Sequence, residues 1–145
     1  NKVRHLAPVV GVWQGVTRLV EGQEIARRAP GATVLVQVEV AGRTDRQGVA
    51  PPEVGDLVAS LRRLDLDVAG LMAVGPPGPP EGARPGFHLL ADLAGQLGLG
   101  EVSMGMSDDL EVAVGEGATM VRIGRALFGD RPAAGAPCRD QKLRQ

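Results

Sequence analysis

The stretch that decides the fold covers residues 101–129 and reads EVSMGMSDDLEVAVGEGATMVRIGRALFG. Its first apolar run ends in a Gly-Met-Ser turn, which leads into a helix predicted over residues 109–116 and stopped by Gly117. A second apolar run, residues 120–123, ends at Gly124, where another helix is predicted to begin. The pattern therefore predicts two consecutive strand-to-helix junctions.

Both junctions suit a bound anion, because the first backbone N–H groups of a helix lack partners and lie at the positive end of its dipole. At the first junction Ser107 can offer a hydroxyl, and Asp108 and Glu111 have the spacing of a capping box. At the second, Gly124 has no side chain, so an anion can approach the N–H groups that open the helix Arg125–Phe128. Two neighbouring parallel strands would bring these helix starts to one place.

Each of these residues taken alone is also consistent with an ordinary turn between a strand and a helix. Arg122 argues against that simpler interpretation, because it lies two residues before Gly124 in an otherwise apolar strand. A guanidinium inside such a strand needs a partner. A ligand at the end of the strand would provide one.

Five apolar runs have the length of buried strands, near residues 9–16, 33–40, 68–74, 101–104 and 120–123. Helical patterns separate them, over residues 18–28, 53–64 and 86–97 and after the Gly-Met-Ser turn. This alternation predicts an α/β fold with parallel strands and right-handed crossovers. An open doubly wound sheet and part of an eight-stranded barrel both satisfy the pattern.

The segment SMGMSDDLEVAVGEGATMVRIGRALFG, residues 103–129, resembles the end of the pyridoxal phosphate homeostasis proteins almost residue for residue. The signature of that family is a Ser-x-Gly-Met-Ser-Asp-Asp turn followed by Val-Arg-Ile-Gly. Asn1 and Lys2 and the strands at residues 34–38 and 70–74 also resemble the family, so the resemblance extends over residues 1–129. It implies a partial TIM (β/α)8 barrel of the alanine racemase N-terminal-domain type with about five parallel βα units.

The same resemblance implies a site for pyridoxal 5′-phosphate. By this resemblance Ser107 and the backbone at Gly124 and Arg125 hold the phosphate, Met106 lines the cofactor and Arg122 faces the pyridine nitrogen. A guanidinium only donates hydrogen bonds and stays protonated, so it would leave that nitrogen unprotonated and the ring a poor electron sink. This argues against transamination, and for carriage or at most racemisation.

The family's barrel has eight strands, and the matched part would be the fourth to the eighth. The family lysine that forms a Schiff base with the cofactor belongs to the first three strands and has no counterpart here. Tyrosine, the second base in the similarly folded alanine racemases, is absent from the sequence. We therefore expect a carboxyl-terminal portion with no catalytic residues of its own.

The resulting hypothesis is a pyridoxal 5′-phosphate carrier in vitamin B6 homeostasis, with apoenzymes that depend on this cofactor as clients. The alternative is a racemase-like barrel enzyme whose lysine lies outside this chain. Residues 1–129 would form the partial barrel, and residues 130–145 a disordered tail.

Composition excludes several other classes of protein. The net charge is −1 with scattered cations, so neither nucleic acid nor an anionic membrane is an expected partner. A single cysteine, Cys138, excludes an internal disulfide and suits a reducing cytoplasm. The two histidines, His5 and His88, predict no metal site.

Overall fold

The computed structural model describes residues 2–42 and 48–129. Within these ranges the strands are β1 Val12–Val16, β2 Thr33–Gln37, β3 Asp67–Met72 and β4 Glu101–Ser103. The helices are α1 Val3–Leu6, α2 Leu19–Arg28, α3 Val54–Arg62, α4 Arg84–Gln96, α5 Leu110–Gly115 and α6 Arg125–Phe128. Residues 43–47 and the predicted tail at 130–145 lie outside the described residues.

The four strands form one parallel sheet in the order β1-β2-β3-β4. Neighbours in the chain are also neighbours in the sheet, and α2, α3 and α4 connect them. Parallel strands require crossovers of this kind, since a short hairpin cannot return the chain to the same end of the sheet. The alternation predicted from the sequence is confirmed, with strands shorter than the apolar runs.

The two faces of the sheet have different surroundings. Val34, Val36 and Val38 belong to the buried cluster that also contains Phe87 and Leu90 from α4. Because side chains alternate along a strand, Leu35 and Gln37 point to the opposite face. The hydrophobic core therefore lies between the sheet and its helices.

The opposite face is concave. The Ser103 hydroxyl on β4 donates to Gln14 Oε1 on β1 at 2.8 Å, although two strands lie between them. In a flat sheet β1 and β4 would be three spacings of about 4.8 Å apart, roughly 14 Å, which is too far for these side chains. The sheet must therefore curve, as an arc of a barrel does.

The fifth predicted strand, residues 120–123, is an extended segment beside β4 with a single parallel bridge, between Ser103 and Met120. The Met104 N–H donates to the Met120 carbonyl at 3.1 Å, and the Arg122 N–H donates to the Gly105 carbonyl at 3.0 Å. The ladder stops early because β4 has only three residues and the chain turns at Gly105, where φ is +88°.

The helix after the Gly-Met-Ser turn differs from its prediction. It begins at Leu110 and ends at Gly115, and its N-cap residue, Asp109, makes no side-chain capping hydrogen bond. The predicted capping box of Asp108 and Glu111 is therefore wrong. Asp108 instead forms an ion pair with Arg125 of α6. Asp109 accepts a hydrogen bond from the N–H of Met106, in the turn before the helix.

Helix α4 begins at Arg84, two residues before its predicted start. Pro85 is tolerated there because the first turn of a helix needs no N–H donor from its residues. Across residues 2–42 and 48–129, no helix combines the length and hydrophobicity that crossing a membrane requires. The same ranges contain no group of three or more His, Cys, Asp or Glu side chains suited to a metal ion.

Candidate functional site

The two strand-to-helix junctions meet. Ser107 follows β4 in the Gly-Met-Ser turn, and its Oγ accepts a hydrogen bond of 3.0 Å from the backbone N–H of Ala126, the second residue of α6. The hydroxyl proton of Ser107 is not used in this contact and can be donated to another acceptor. The convergence predicted from the sequence is therefore present.

Backbone donors lie next to this contact. The N–H groups of Gly124 and Arg125 have no hydrogen-bond partner among the residues that the structure describes. A Cβ placed on Gly124 would meet no atom within 4 Å, so the space in front of it is open. Helix α6 has only four residues, so its dipole would add little to the binding of an anion by these donors.

The side chain of Arg125 is engaged by the other junction. Its Nη2 forms an ion pair with Asp108 Oδ2, and both side chains are largely exposed. Exposed pairs of this kind contribute little to stability, about 0–1 kcal/mol. The pair joins the two junctions, and its carboxylate offsets the positive charge that Arg125 brings to the site.

Arg122 is bound by the protein itself. Its Nη1 donates to the carbonyl and the hydroxyl of Ser103 at 3.0 and 2.8 Å, and its Nη2 donates to the Ala73 carbonyl at 2.7 Å. The sequence argument assigned the partner of this guanidinium to a ligand, whereas here the ends of β3 and β4 provide partners. The Nε proton and one Nη2 proton have no partner within the described ranges, so Arg122 can still donate to a ligand.

Burial lowers the pKa of Arg122, because the guanidinium loses contact with water, while the nearby Asp109 carboxylate acts in the opposite direction. An arginine begins from a pKa so high that it remains a cation at physiological pH. Arg122 therefore serves only as a hydrogen-bond donor at this site.

Asp109 holds the turn in place, a role that the sequence did not reveal. It is 8% exposed, and its Oδ1 accepts from the Met106 N–H at 2.6 Å. A Cβ on Gly75 would lie 2.7 Å from Asp109 Oδ2 and 3.0 Å from the Cβ of Ala83, so only glycine fits beside this carboxylate. Asp109 thus packs the Met106–Ser107 backbone against the end of β3.

Two cavities border the turn. Met106, whose side chain is partly exposed, lines a cavity of about 220 Å³ together with Gly75, Pro77 and Asp109. Ser107 lines a wider depression of about 590 Å³ on the side of α4 and α5. Arg122 and Gly124 line neither cavity. Of the predicted site residues, Ser107 contacts the start of α6, whereas the Met106 side chain lines a separate cavity.

Two further polar side chains lie on the concave face of the sheet, near Arg122. Ser103 is fully buried and binds Arg122, and Gln14 binds Ser103 from across the concave face. Gln14 is a polar residue inside an otherwise apolar strand, a pattern that could have singled it out in the way it singled out Arg122. Ser103 ends the short strand Glu-Val-Ser, which carries no such signal.

Residues 3–132 match the family described as alanine racemase, N-terminal domain. The chain belongs to this family. The proteins similar to it include the pyridoxal phosphate homeostasis protein of Pseudomonas aeruginosa, 41% identical over 94% of this chain and 63% of the relative. The protein of the same name from Aquifex aeolicus is 38% identical over 90% of this chain and 63% of the relative. The chain therefore spans 63% of the length of these relatives.

Solved structures similar to this chain have the same fold. PipY of Synechococcus elongatus is 28% identical, with a TM-score of 0.78 without pyridoxal phosphate and 0.75 with it bound. In both, the match covers 89% of this chain and 66% of PipY. An alanine racemase of Clostridium difficile, at 18% identity and a TM-score of 0.70 over 91% of this chain and 37% of its own, shares the fold. The family and the partial barrel predicted from the sequence are thus confirmed.

Proposed function

We propose that this chain binds pyridoxal 5′-phosphate at the carboxyl ends of its last strands and serves in vitamin B6 homeostasis by carrying the cofactor. The observation that carries the proposal is the hydrogen bond between Ser107 Oγ and the Ala126 N–H. It brings a hydroxyl to the start of α6, where the N–H groups of Gly124 and Arg125 have no partner among the described residues. We infer that these three donors would bind the oxygens of one phosphate.

The residues present fit the cofactor in both of its parts. Ser107, Gly124 and Arg125 would hold the phosphate with one hydroxyl and two backbone N–H groups. Arg122 has unused donors at the same edge of the sheet and would donate to the pyridine nitrogen. Met106 lines a separate cavity beside Gly75, so its predicted contact with the cofactor stays a prediction without geometric support. Support from outside the chain comes from PipY, a relative whose structure has pyridoxal phosphate bound.

Arg122 determines which chemistry the site favours. When bound, the cofactor supplies an aldehyde that condenses with amines and a ring that can accept electrons. Arg122 would withhold a proton from the ring nitrogen, since a guanidinium does not release one at physiological pH. The ring would then accept electrons poorly, which favours carriage over transamination.

The alternative function is a racemase-like enzyme whose lysine lies outside this chain. Two-base racemisation needs a proton-transfer group on each face of the cofactor. Among the described residues, no hydrogen bond of Ser107 or Arg122 involves such a pair. We therefore place carriage first, and we include in the proposal a cytoplasmic location and transfer to apoenzymes that require the cofactor.

Pyridoxine 5′-phosphate is a suitable probe because it has the ring and the phosphate but no aldehyde, and so cannot form an imine. Calorimetric titration is expected to show binding of this compound, and at least tenfold weaker binding of pyridoxine, which lacks the charged phosphate. Equal affinity for the two compounds, or no binding of either, would contradict the proposed phosphate site.

Substitution of Arg122 tests the ring contact. Arg122→Ala is expected to weaken binding of pyridoxine 5′-phosphate by about tenfold, the worth of one hydrogen bond to a charged group. Arg62→Ala, which alters an exposed arginine of α3, is the matched control and should leave binding unchanged. The same affinity in both variants would remove Arg122 from the site.

Borohydride reduction tests the absence of a cofactor lysine. The sequence contains two lysines, Lys2 and Lys142. After incubation with pyridoxal 5′-phosphate and borohydride, mass spectrometry should find only partial labelling spread over both. Stoichiometric labelling of one of them would favour the enzyme alternative.

A further inference from the structure

Three side chains form a continuous set of hydrogen bonds across the concave face of the sheet. Arg122 Nη1 donates to Ser103 Oγ at 2.8 Å, and the Ser103 hydroxyl donates to Gln14 Oε1 at 2.8 Å. Gln14 lies on β1, one edge strand of the sheet, whereas Ser103 is the last residue of β4, the opposite edge strand. The set therefore links the first strand of the arc to the guanidinium beyond the last.

Each of these bonds has a defined direction. A guanidinium has no acceptor, so Ser103 Oγ must accept from Arg122. The single hydroxyl proton of Ser103 is donated to Gln14, whose amide oxygen faces it. This orientation leaves Gln14 Nε2 facing Met120 Sδ at 2.9 Å, which agrees with a donor facing a weak acceptor.

The guanidinium is held from two sides. The Ala73 carbonyl, next to β3, accepts from Nη2, and Ser103 accepts twice from Nη1. The Ala73 contact and one of the Ser103 contacts use backbone oxygens, whose positions the sheet determines. The remaining contact uses a hydroxyl that can rotate, and Gln14 is the group that stops its rotation.

We propose that Gln14 is a positioning residue for Arg122, acting through the Ser103 hydroxyl, and that it sets the direction in which the free guanidinium donors point. The inference rests on the proposed function, in which those donors meet the pyridine nitrogen. A protein that binds only the phosphate would not need Gln14 to orient Arg122. A protein that binds the ring uses it to keep a flexible side chain in one orientation.

A purely structural role for Gln14 would have a different signature. Ser103 is completely buried, so its hydroxyl needs an acceptor whether or not a cofactor binds. If Gln14 served only that need, its loss would weaken the turn and affect the phosphate donors and the ring donor alike. A positioning role affects the ring contact alone, because within the described residues neither Ser107 nor Gly124 is hydrogen-bonded to Gln14.

The test compares two ligands on variants of the complete chain. Gln14→Leu keeps the approximate volume and removes both hydrogen bonds, and Gln23→Leu, on the exposed surface of α2, is the matched control. Gln14→Leu is expected to bind pyridoxine 5′-phosphate about five- to tenfold more weakly and inorganic phosphate unchanged within about twofold. Gln14→Glu retains the acceptor for Ser103 and should restore binding of the ring-bearing ligand.

A double-mutant cycle identifies the route. If Gln14 acts through Ser103, the double variant Gln14→Leu with Ser103→Ala should bind pyridoxine 5′-phosphate no more weakly than Ser103→Ala alone. Additive losses would contradict a route through Ser103. Equal losses for pyridoxine 5′-phosphate and inorganic phosphate in Gln14→Leu would overturn the positioning role.

Nuclear magnetic resonance of the ligand-free chain provides a readout that does not depend on the proposed function. The Arg122 Nε–Hε signal should shift or broaden in Gln14→Leu and keep its position in Gln14→Glu and Gln23→Leu. An unchanged signal in Gln14→Leu would overturn the inference. If the unsubstituted chain does not bind pyridoxine 5′-phosphate, the proposed function fails, and this signal still decides whether Gln14 orients Arg122.

Discussion

The hydroxyl oxygen of Ser107 lies 3.0 Å from the backbone nitrogen of Ala126, which is 19 residues further along the chain. The two residues belong to different junctions, one after β4 and one at the start of α6. Their contact brings the Ser107 hydroxyl to the start of α6, where the N–H groups of Gly124 and Arg125 have no hydrogen-bond partner among the described residues. The proposed phosphate site depends on this arrangement.

Ser107→Ala should weaken binding of pyridoxine 5′-phosphate by about tenfold or more, because a hydrogen bond to a charged group is worth about 1.5–3 kcal/mol. Calorimetric titration measures the change. Ser60→Ala is the matched control, since Ser60 Oγ accepts a 2.8 Å hydrogen bond from Arg63 near the end of α3. If the two variants bind equally well, Ser107 does not contact the phosphate.

Asp108→Asn should bind the phosphate more tightly. The substitution removes the Asp108 carboxylate, which pairs with Arg125 and places a negative charge beside the site. For an exposed pair, a gain of about two- to fivefold in affinity at low salt is expected, and it should shrink as salt screens the charges. Asp56→Asn, on the surface of α3, is the control and should have no effect. Weaker binding by Asp108→Asn would show that Asp108 supports the site.

Gly105→Ala should destabilise the chain by about 2–4 kcal/mol. Gly105 has a φ of +88°, and a Cβ there would lie 2.5 Å from the Cβ of Ala113, so both backbone strain and a collision with α5 are introduced. Urea denaturation measures the free energy of unfolding. Gly95→Ala in α4 is the control, because a Cβ there meets nothing within 4 Å, and it should stabilise the helix by up to about 1 kcal/mol. Similar stabilities of the two variants would contradict the packing described for this turn.

Arg84→Gln should lower stability at neutral pH and not in acid. Arg84 Nη1 binds Glu116 at 2.6 Å, and His88 Nδ1 lies 3.1 Å from the same carboxylate, so the start of α4 is tied to the residue after α5. The hydrogen bond from Arg84 and then that from His88 lower the pKa of Glu116 below its ordinary value of 4.5.

The sign of the pH dependence follows from that lowered pKa. A carboxylate with a pKa depressed by folding contributes stability above pH 4.5, and the contribution disappears as the pH falls through the lower value of the folded state. The pKa of Glu81, also paired with Arg84, is lowered in the same way and adds to the effect. The difference between Arg84→Gln and the parent chain should therefore vanish at acid pH in urea denaturation. A difference that persists there, or an equal effect of Arg62→Gln at neutral pH, would refute this account.

Much of the fold could be predicted because its signals are local. Apolar runs of strand length alternate with amphipathic segments, and each strand lies within or close to the run that predicted it. The signature around Ser107 and Gly124 identified the family. The meeting of the two junctions could also be predicted, since parallel strands place their carboxyl ends at one edge.

Other features could not be predicted because they depend on contacts between distant elements. The pair Asp108 and Asp109 indicated a helix start, yet one pairs with Arg125 and the other is buried against Gly75. Local spacing does not distinguish two adjacent carboxylates that point in different directions. The same limitation applies to Arg122, whose partners Ser103 and Ala73 lie 19 and 49 residues away.

By itself, the amino-acid sequence determined the family, the succession of strands and helices, and the two turns that meet at Ser107 and Gly124. These properties depend on side-chain polarity and backbone preference over short distances along the chain. Only the tertiary structure decided that the sheet curves enough for Gln14 to reach Ser103, and so how Arg122 is oriented. Curvature is a property of all the strands together, and no short segment of the sequence encodes it.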